Sequence, residues 1–298
     1  MAREGNGGLI WVAAAGLLAG AGAAWVVSQA GAEQHVIPAA PVALPVALLV
    51  GWSFIGSGLL SWRPGDRLGP VLVFTGFGWF AGMLPDAHDP VLFTIGEVFQ
   101  IVYYVGFVYL ILSFPAGRLH GALDRAVLGV TIALVTVGQQ ERLLFADSRA
   151  LICRACPANV VEIVREDSLV RGLAQVQRAA ALAVTLAGVG LLMVRWRRAS
   201  RPQRHAVMPV AVAGAAAFAT VIAWMVASVL GGASAAVLGR VAWYAAAAVP
   251  VAVLVVMLRL HSMSCAAGRR FRLIFGWPST RACPTGSKAQ RTSWSARH

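Results

Sequence analysis

Charge is scarce in this chain, and acidic charge is scarcest. Of 298 residues 12% are charged and 58% hydrophobic, and the mean hydropathy is +0.72. A soluble domain carries about 25% charged residues. Most of this protein's surface must therefore face something other than water, which excludes an ordinary soluble domain. Twelve Asp and Glu stand against 25 Lys and Arg, for a formal charge of +13, and Lys288 is the only lysine. In a soluble protein that balance would point to nucleic acid. Here the sorting of basic residues to one side of a membrane accounts for it, and no nucleic-acid partner is expected. Cysteine is rare too: Cys153 and Cys156 share one loop, Cys265 and Cys283 lie near the C-terminus, and four in so long a chain make no disulfide scaffold. Catalytic motifs are missing. The six histidines are scattered, and no His-Glu-x-x-His, Gly-x-Ser-x-Gly or Walker-type loop occurs. Neither a catalytic residue nor a cofactor or metal site is expected.

What the chain has in abundance is long apolar runs. Eight qualify as membrane crossings: Leu9–Val27, Pro38–Trp62, Leu68–Leu84, Val91–Phe114, Ala126–Val137, Leu173–Val194, Val207–Leu230 and Val241–Leu258. The fifth is short and could be re-entrant; its expected extension runs through Gly138 and Gln139. In lipid every backbone polar group must be paired within the protein, so the spans should be helices. The expected fold is an all-α polytopic bundle over residues 1–258, with an outer loop at about 138–172 and a basic, disordered tail over 259–298. Gly16-x-x-x-Gly20 lets another helix approach closely, within the bundle or in a homodimer. No internal repeat stands out, which gives an inverted-repeat transporter no support.

The connectors set the orientation. Arg63 and Arg67 follow the second span, Arg118 and Arg125 the fourth, and Arg195, Arg197, Arg198, Arg201 and Arg204 the sixth. Arg3 and the tail arginines fall on the same side. The opposite side carries Glu33, Asp86, Asp89 and a long loop of mixed charge. The basic side should be cytoplasmic, with both termini there. A rival reading takes the first span as a signal peptide cleaved after Ser28-Gln29-Ala30; its long apolar core favours an uncleaved helix.

Few residues are candidates for chemistry. Glu97 lies inside the fourth span, where a carboxylate is costly and marks a candidate functional site. The plainer account is a position near the outer interface, hydrated or hydrogen-bonded there. Gln100, Tyr103 and Tyr104 follow at helical spacing, either as a polar patch or as part of an aromatic belt. Arg178, in the sixth span, either snorkels to the surface or pairs with Glu97. Cys153-Arg-Ala-Cys156-Pro157 sits in the outer loop, where an oxidising compartment permits a disulfide. Free thiols and redox or metal chemistry are the alternatives, although a zinc site needs a second ligand pair and none lies nearby.

Three stretches carry a family resemblance. They are Gly58-Leu59-Leu60-Ser61-Trp62-Arg63-Pro64-Gly65-Asp66-Arg67-Leu68-Gly69, Phe114-Pro115-Ala116-Gly117-Arg118-Leu119, and Cys153-x-x-Cys156-Pro157-x-Asn159. They resemble the two cytoplasmic turns and the outer-loop cysteine motif of the membrane input region of actinobacterial two-component sensor histidine kinases. Ala116 replaces a serine of the second motif. The resemblance spans about residues 9–260 and implies a sensor in a bacterial plasma membrane; the arginine- and alanine-rich composition fits a GC-rich genome. The departure comes after Leu258. His261 lacks the acidic neighbour of a phosphoacceptor, and no Asp-x-Gly-x-Gly nucleotide motif exists. From Arg259 to His298 there is no Asp or Glu, as in an out-of-frame reading of GC-rich DNA. A genuine basic tail held on anionic lipid is the alternative.

The expected function is thus a membrane sensor module truncated before the phosphoacceptor and ATP-binding domains, with membrane lipid as its environment and its signal ligand unknown. The competing functions are a small-molecule transporter or channel, and a membrane-embedded enzyme. A transporter should show several ionisable groups near the midplane; the only candidates are Glu97 and Arg178, and both lie toward the outer end. An enzyme should show clustered His, Asp or Glu at the cytoplasmic helix ends, which carry arginine instead.

Overall fold

A computed structural model describes residues 4–30, 42–62, 67–113, 118–119, 121–145, 157–164, 166–198, 201–230 and 234–266. Every regular element among them is helical: α1 (Glu4–Gln29), α2 (Ala43–Ser61), α3 (Leu68–Ala81), a 3-10 turn (Leu84–Asp86), α4 (Pro90–Phe99), α5 (Val102–Ser113), α6 (Ala122–Phe145), α7 (Asp167–Arg198), α8 (Arg201–Leu230) and α9 (Ser234–Ala266). They supply eight helices long and apolar enough to cross a membrane, with α4 and α5 forming one crossing, Pro90–Ser113. The chain divides into two compact units, Met1–Val256 and Met257–His298. The bundle belongs to the first; of the second, only the last turns of α9 are described.

The fifth crossing is a full helix, Ala122–Phe145, which passes through Gly138 and Gln139 as expected and continues beyond them. Hydropathy drops at Gln139-Gln140-Glu141-Arg142, but Gln139 and Leu143 are 2% and 1% exposed. A polar side chain turned into the bundle does not stop a helix, because its partner lies inside the protein. The flanking helices accordingly reach further into the 138–172 stretch, α6 to Phe145 and α7 from Asp167.

Helices in lipid gain nothing from hiding apolar surface, so close backbone approach and dispersion must hold them together. The α2–α3 hairpin shows how. Gly51 and Gly58 on α2 oppose Gly76 and Gly69 on α3, and the two glycines of each helix are seven residues apart. A Cβ on Gly58 would come within 2.7 Å of the Gly69 carbonyl oxygen, and one on Gly76 within 2.8 Å of that of Gly51. Glycine is the only residue that permits this approach. Trp79 adds an indole N–H bond across the hairpin to Ala47 O at 2.8 Å. The other face of α3 meets α5, where Thr75 fills the space that a Cβ on Gly106 would need.

The remaining helices build on this hairpin. Gly16 and Gly20 of α1 are buried against Ile55 and Trp52 of α2, and Trp52 Nε1 donates to Gly16 O at 3.3 Å. The Gly-x-x-x-Gly face is therefore taken up within the chain, and a homodimer would need a different face. A core of Ala23, Ala43, Ala47, Ile55, Phe80 and Met83 fills the space among α1, α2 and the end of α3. A second core, Val108, Leu112, Val127 and Val184, joins α5, α6 and α7. The start of α9 returns to the hairpin, with Trp243 tilted against Trp79, ring centres 6.3 Å apart. The sixth and seventh crossings are the least covered, with 17% of each span buried; their apolar faces suit lipid.

Candidate functional site: the first half of the fourth crossing

The fourth crossing begins with a strong start signal. Asp89 caps α4, its Oδ1 accepting from the N–H groups of Val91 and Leu92, both at 2.9 Å. Pro90 takes the first helical position, where its missing N–H costs nothing. Two turns on, Glu97 is 0% exposed. Gly96 beside it lets the 3-10 turn pack close at Pro85. α4 then ends at Phe99, and α5 begins at Val102 after an interruption at Gln100–Ile101. At the interruption Tyr104 N–H reaches back three residues to Ile101 O, at 3.0 Å. Gly82 accommodates the joint, since a Cβ there would meet Gln100 Cα at 3.2 Å.

An interrupted helix has end carbonyls that need donors from elsewhere. Gln139 of α6 provides one, its Nε2 donating to Glu97 O. Gln177 of α7 similarly donates to Leu134 O of α6 at 3.4 Å. The segment 157–164 folds back over the same end of the bundle. Val160 N–H donates to Thr94 Oγ1 at 3.2 Å, and Asn159 Nδ2 donates to Leu143 O at 2.6 Å. Ile163 N–H takes Leu144 O at 3.0 Å. These bonds satisfy the carbonyls at the C-terminal end of α6, with Asn159 7% exposed. Asn159 thus closes the end of α6 and holds the returning loop down.

The expected site residues separate. Glu97 is buried. Arg178 lies on the exposed face of α7. Tyr103 and Tyr104 turn to different neighbours. Tyr103 packs edge-on against Trp79, ring centres 4.7 Å apart, while Tyr104 bonds Thr185 of α7 at 3.1 Å. They form no single patch. Gln139, Asn159, Thr94 and Thr185 are the polar residues of this region that sequence reading passed over as site residues. The one signal available for Gln139 was a polar residue placed where α6 had to continue if it was to span. In the connectors, Arg67 and Arg118 are described, and Arg118 is exposed. Arg63, Phe114, Pro115, Gly117, Cys153 and Cys156 lie outside the described residues.

Among the described residues no group of three or more His, Cys, Asp or Glu side chains comes together. What the region offers is a buried carboxylate at a helix joint, braced by amides and covered by a docked loop. Those parts define an all-α membrane bundle with a polar region at one end, without defining its activity. Comparison with known proteins finds no matching family model, no matching curated protein and no matching solved structure.

Proposed function

We propose that this chain is the membrane input region of a sensor of the two-component histidine-kinase type, set in a bacterial plasma membrane with both termini cytoplasmic. The observation that carries the proposal is the wording of the two cytoplasmic turns, Gly58–Gly69 and Phe114–Leu119, with the Cys153–Asn159 motif on the opposite side. Three motif positions that look idle in the sequence have work in the fold, which supports reading them as a set. Gly58 and Gly69 are the close-contact pair of the α2–α3 hairpin, and Asn159 closes α6. A signal would act by shifting helix packing in the bundle, a bias between two arrangements passed along α9. Phosphoryl transfer is not assigned to this chain, which has no nucleotide-binding motif.

Transport of a small molecule is the second reading. It draws on the interrupted fourth crossing beside buried Glu97, since broken helices line the binding sites of many carriers. The neighbouring DNA separates the two. A response-regulator gene or a kinase core beside this reading frame is the expected result. Substrate-uptake genes in their place would overturn the sensor proposal in favour of transport.

A further inference from the structure

The segment 157–164 turns its apolar side chains outward. Val160, Val161, Ile163 and Val164 are all exposed, Val160 by 54% and Ile163 by 72%. Large aliphatic side chains exposed in one run form a patch, unlike the scattered single residues usual on a surface. Hydrogen bonds fix the level of this patch along the bundle. Val160 N–H is bonded to Thr94, four residues into the fourth crossing, Pro90–Ser113. At about 1.5 Å per residue, that is about 6 Å from the start of the span. Ile163 N–H is bonded to Leu144, one residue from the end of the fifth crossing at Phe145. The segment therefore sits at the level where two crossings meet the membrane boundary. In the same turns as Thr94, Val91, Leu92 and Ile95 of α4 are exposed as well.

The backbone of the segment points the same way. Irregular chain enters a region poor in water only where its polar groups are paired within the protein. Val160 N–H donates to Thr94 Oγ1, and Val161 N–H to Asn159 Oδ1 at 3.2 Å. Ile163 and Val164 N–H share Leu144 O, and Glu166 N–H donates to Phe145 O at 3.3 Å. A loop surrounded by water needs neither these internal acceptors nor an apolar rim.

We propose that residues 160–164 form an interfacial lipid contact. Val160, Val161, Ile163 and Val164 seat at the boundary between headgroups and acyl chains, in the leaflet at this end of the bundle. Amphipathic segments occupy that boundary to a depth of about 5–10 Å, which matches the level set by Thr94. Glu162, exposed within the run, limits the depth, because a charge in hydrocarbon is costly and its carboxylate must stay among headgroups and water. The occupant is lipid and not a second protein, because the crossings themselves place this level at the bilayer and α4 is apolar and exposed beside it. The same segment bonds Thr94, Leu143 and Leu144. The contact thus ties the lipid interface to the fourth crossing and to the end of α6. A change in lipid packing would load those bonds, and only the use of that load as a signal rests on the sensor reading.

The test uses the full chain in phosphatidylcholine nanodiscs, with the native cysteines replaced by serine. Nitroxide labels are attached in turn at Val161→Cys, Glu162→Cys and Ile163→Cys. Leu18→Cys, on the exposed face of α1, serves as the lipid standard. Collision with oxygen, which concentrates in hydrocarbon, is compared with collision with a water-soluble nickel chelate. The labels at 161 and 163 should meet the chelate severalfold less often than the label at 162, and should approach the oxygen access of the standard. Equal chelate access at all three positions would place the segment in water and overturn the proposal. Shielding of the label at 163 from both reagents would overturn it too, in favour of a protein contact. If the cysteine-free chain does not fold, the unaltered chain decides alone. A phosphatidylcholine with a diazirine near the head of its acyl chain should then label the peptide holding residues 160–164 about as strongly as the one holding Val91 and Leu92. Absence of label from the first and its presence on the second would overturn the proposal.

Discussion

At the scale of single residues, glycine and asparagine carry more of this structure than the charged groups do. Gly58 and Gly69 touch backbone to backbone, so a side chain must push α2 from α3. Gly58→Val is expected to lower stability by about 1–3 kcal/mol, the usual cost of overpacking. Gly22→Val should do nothing, because open space surrounds Gly22. The temperature at which each variant loses its monodisperse peak in mild detergent reads the difference; equal losses would refute the hairpin contact. Asn159→Ala leaves the Leu143 carbonyl short of a donor, at a cost of about 1–3 kcal/mol. It should speed amide exchange at Val161 and Ile163, whose N–H groups are held by Asn159 Oδ1 and Leu144 O. Unchanged exchange there would show that the loop is held by something else. Sequence reading found Asn159 only as a motif letter, because its partner is a carbonyl 16 residues away.

At the scale of elements, the fourth crossing is the informative one. Its start near Val91 was read from apolar length; the structure adds that Asp89 caps it and Pro90 takes the first helical position. Asp89→Ala is expected to cost about 1 kcal/mol, whereas Asp89→Asn, an equally good cap, should cost almost nothing. Thermal unfolding of the two variants side by side checks this, and an equal loss in both would assign Asp89 some role other than capping. The interruption at Gln100–Ile101 was not legible. Neither Pro nor Gly marks it; Gly82, on another element, makes room for it, and Gln139 of α6 supplies the adjacent carbonyl with a donor. The fifth crossing runs on past Gln139 to Phe145, and Gln139 faces protein, not lipid.

At the scale of the whole molecule, the open question is sidedness, and native cysteines can answer it. Two partners of the Cys153/Cys156 and Cys265/Cys283 sets can be removed at a time by serine substitution. After reduction, protein that keeps Cys153 and Cys156 should react with a membrane-impermeant maleimide in intact cells. Protein that keeps Cys265 and Cys283 should react only after permeabilisation. The reverse pattern would overturn the orientation read from the arginine connectors.

The number of crossings, their helical state and the clustering of arginine on alternate connectors were determined by the sequence alone. They depend on local apolar length and on the cost of an unpaired backbone in lipid, which neighbours do not change. Only the tertiary structure decided which polar residues turn inward. Gln139 and Glu97 are buried while Arg178 is exposed, and the two tyrosines diverge. Each of those outcomes follows from the rotation of a helix about its own axis, and in a bilayer that rotation is set by the helices packed against it.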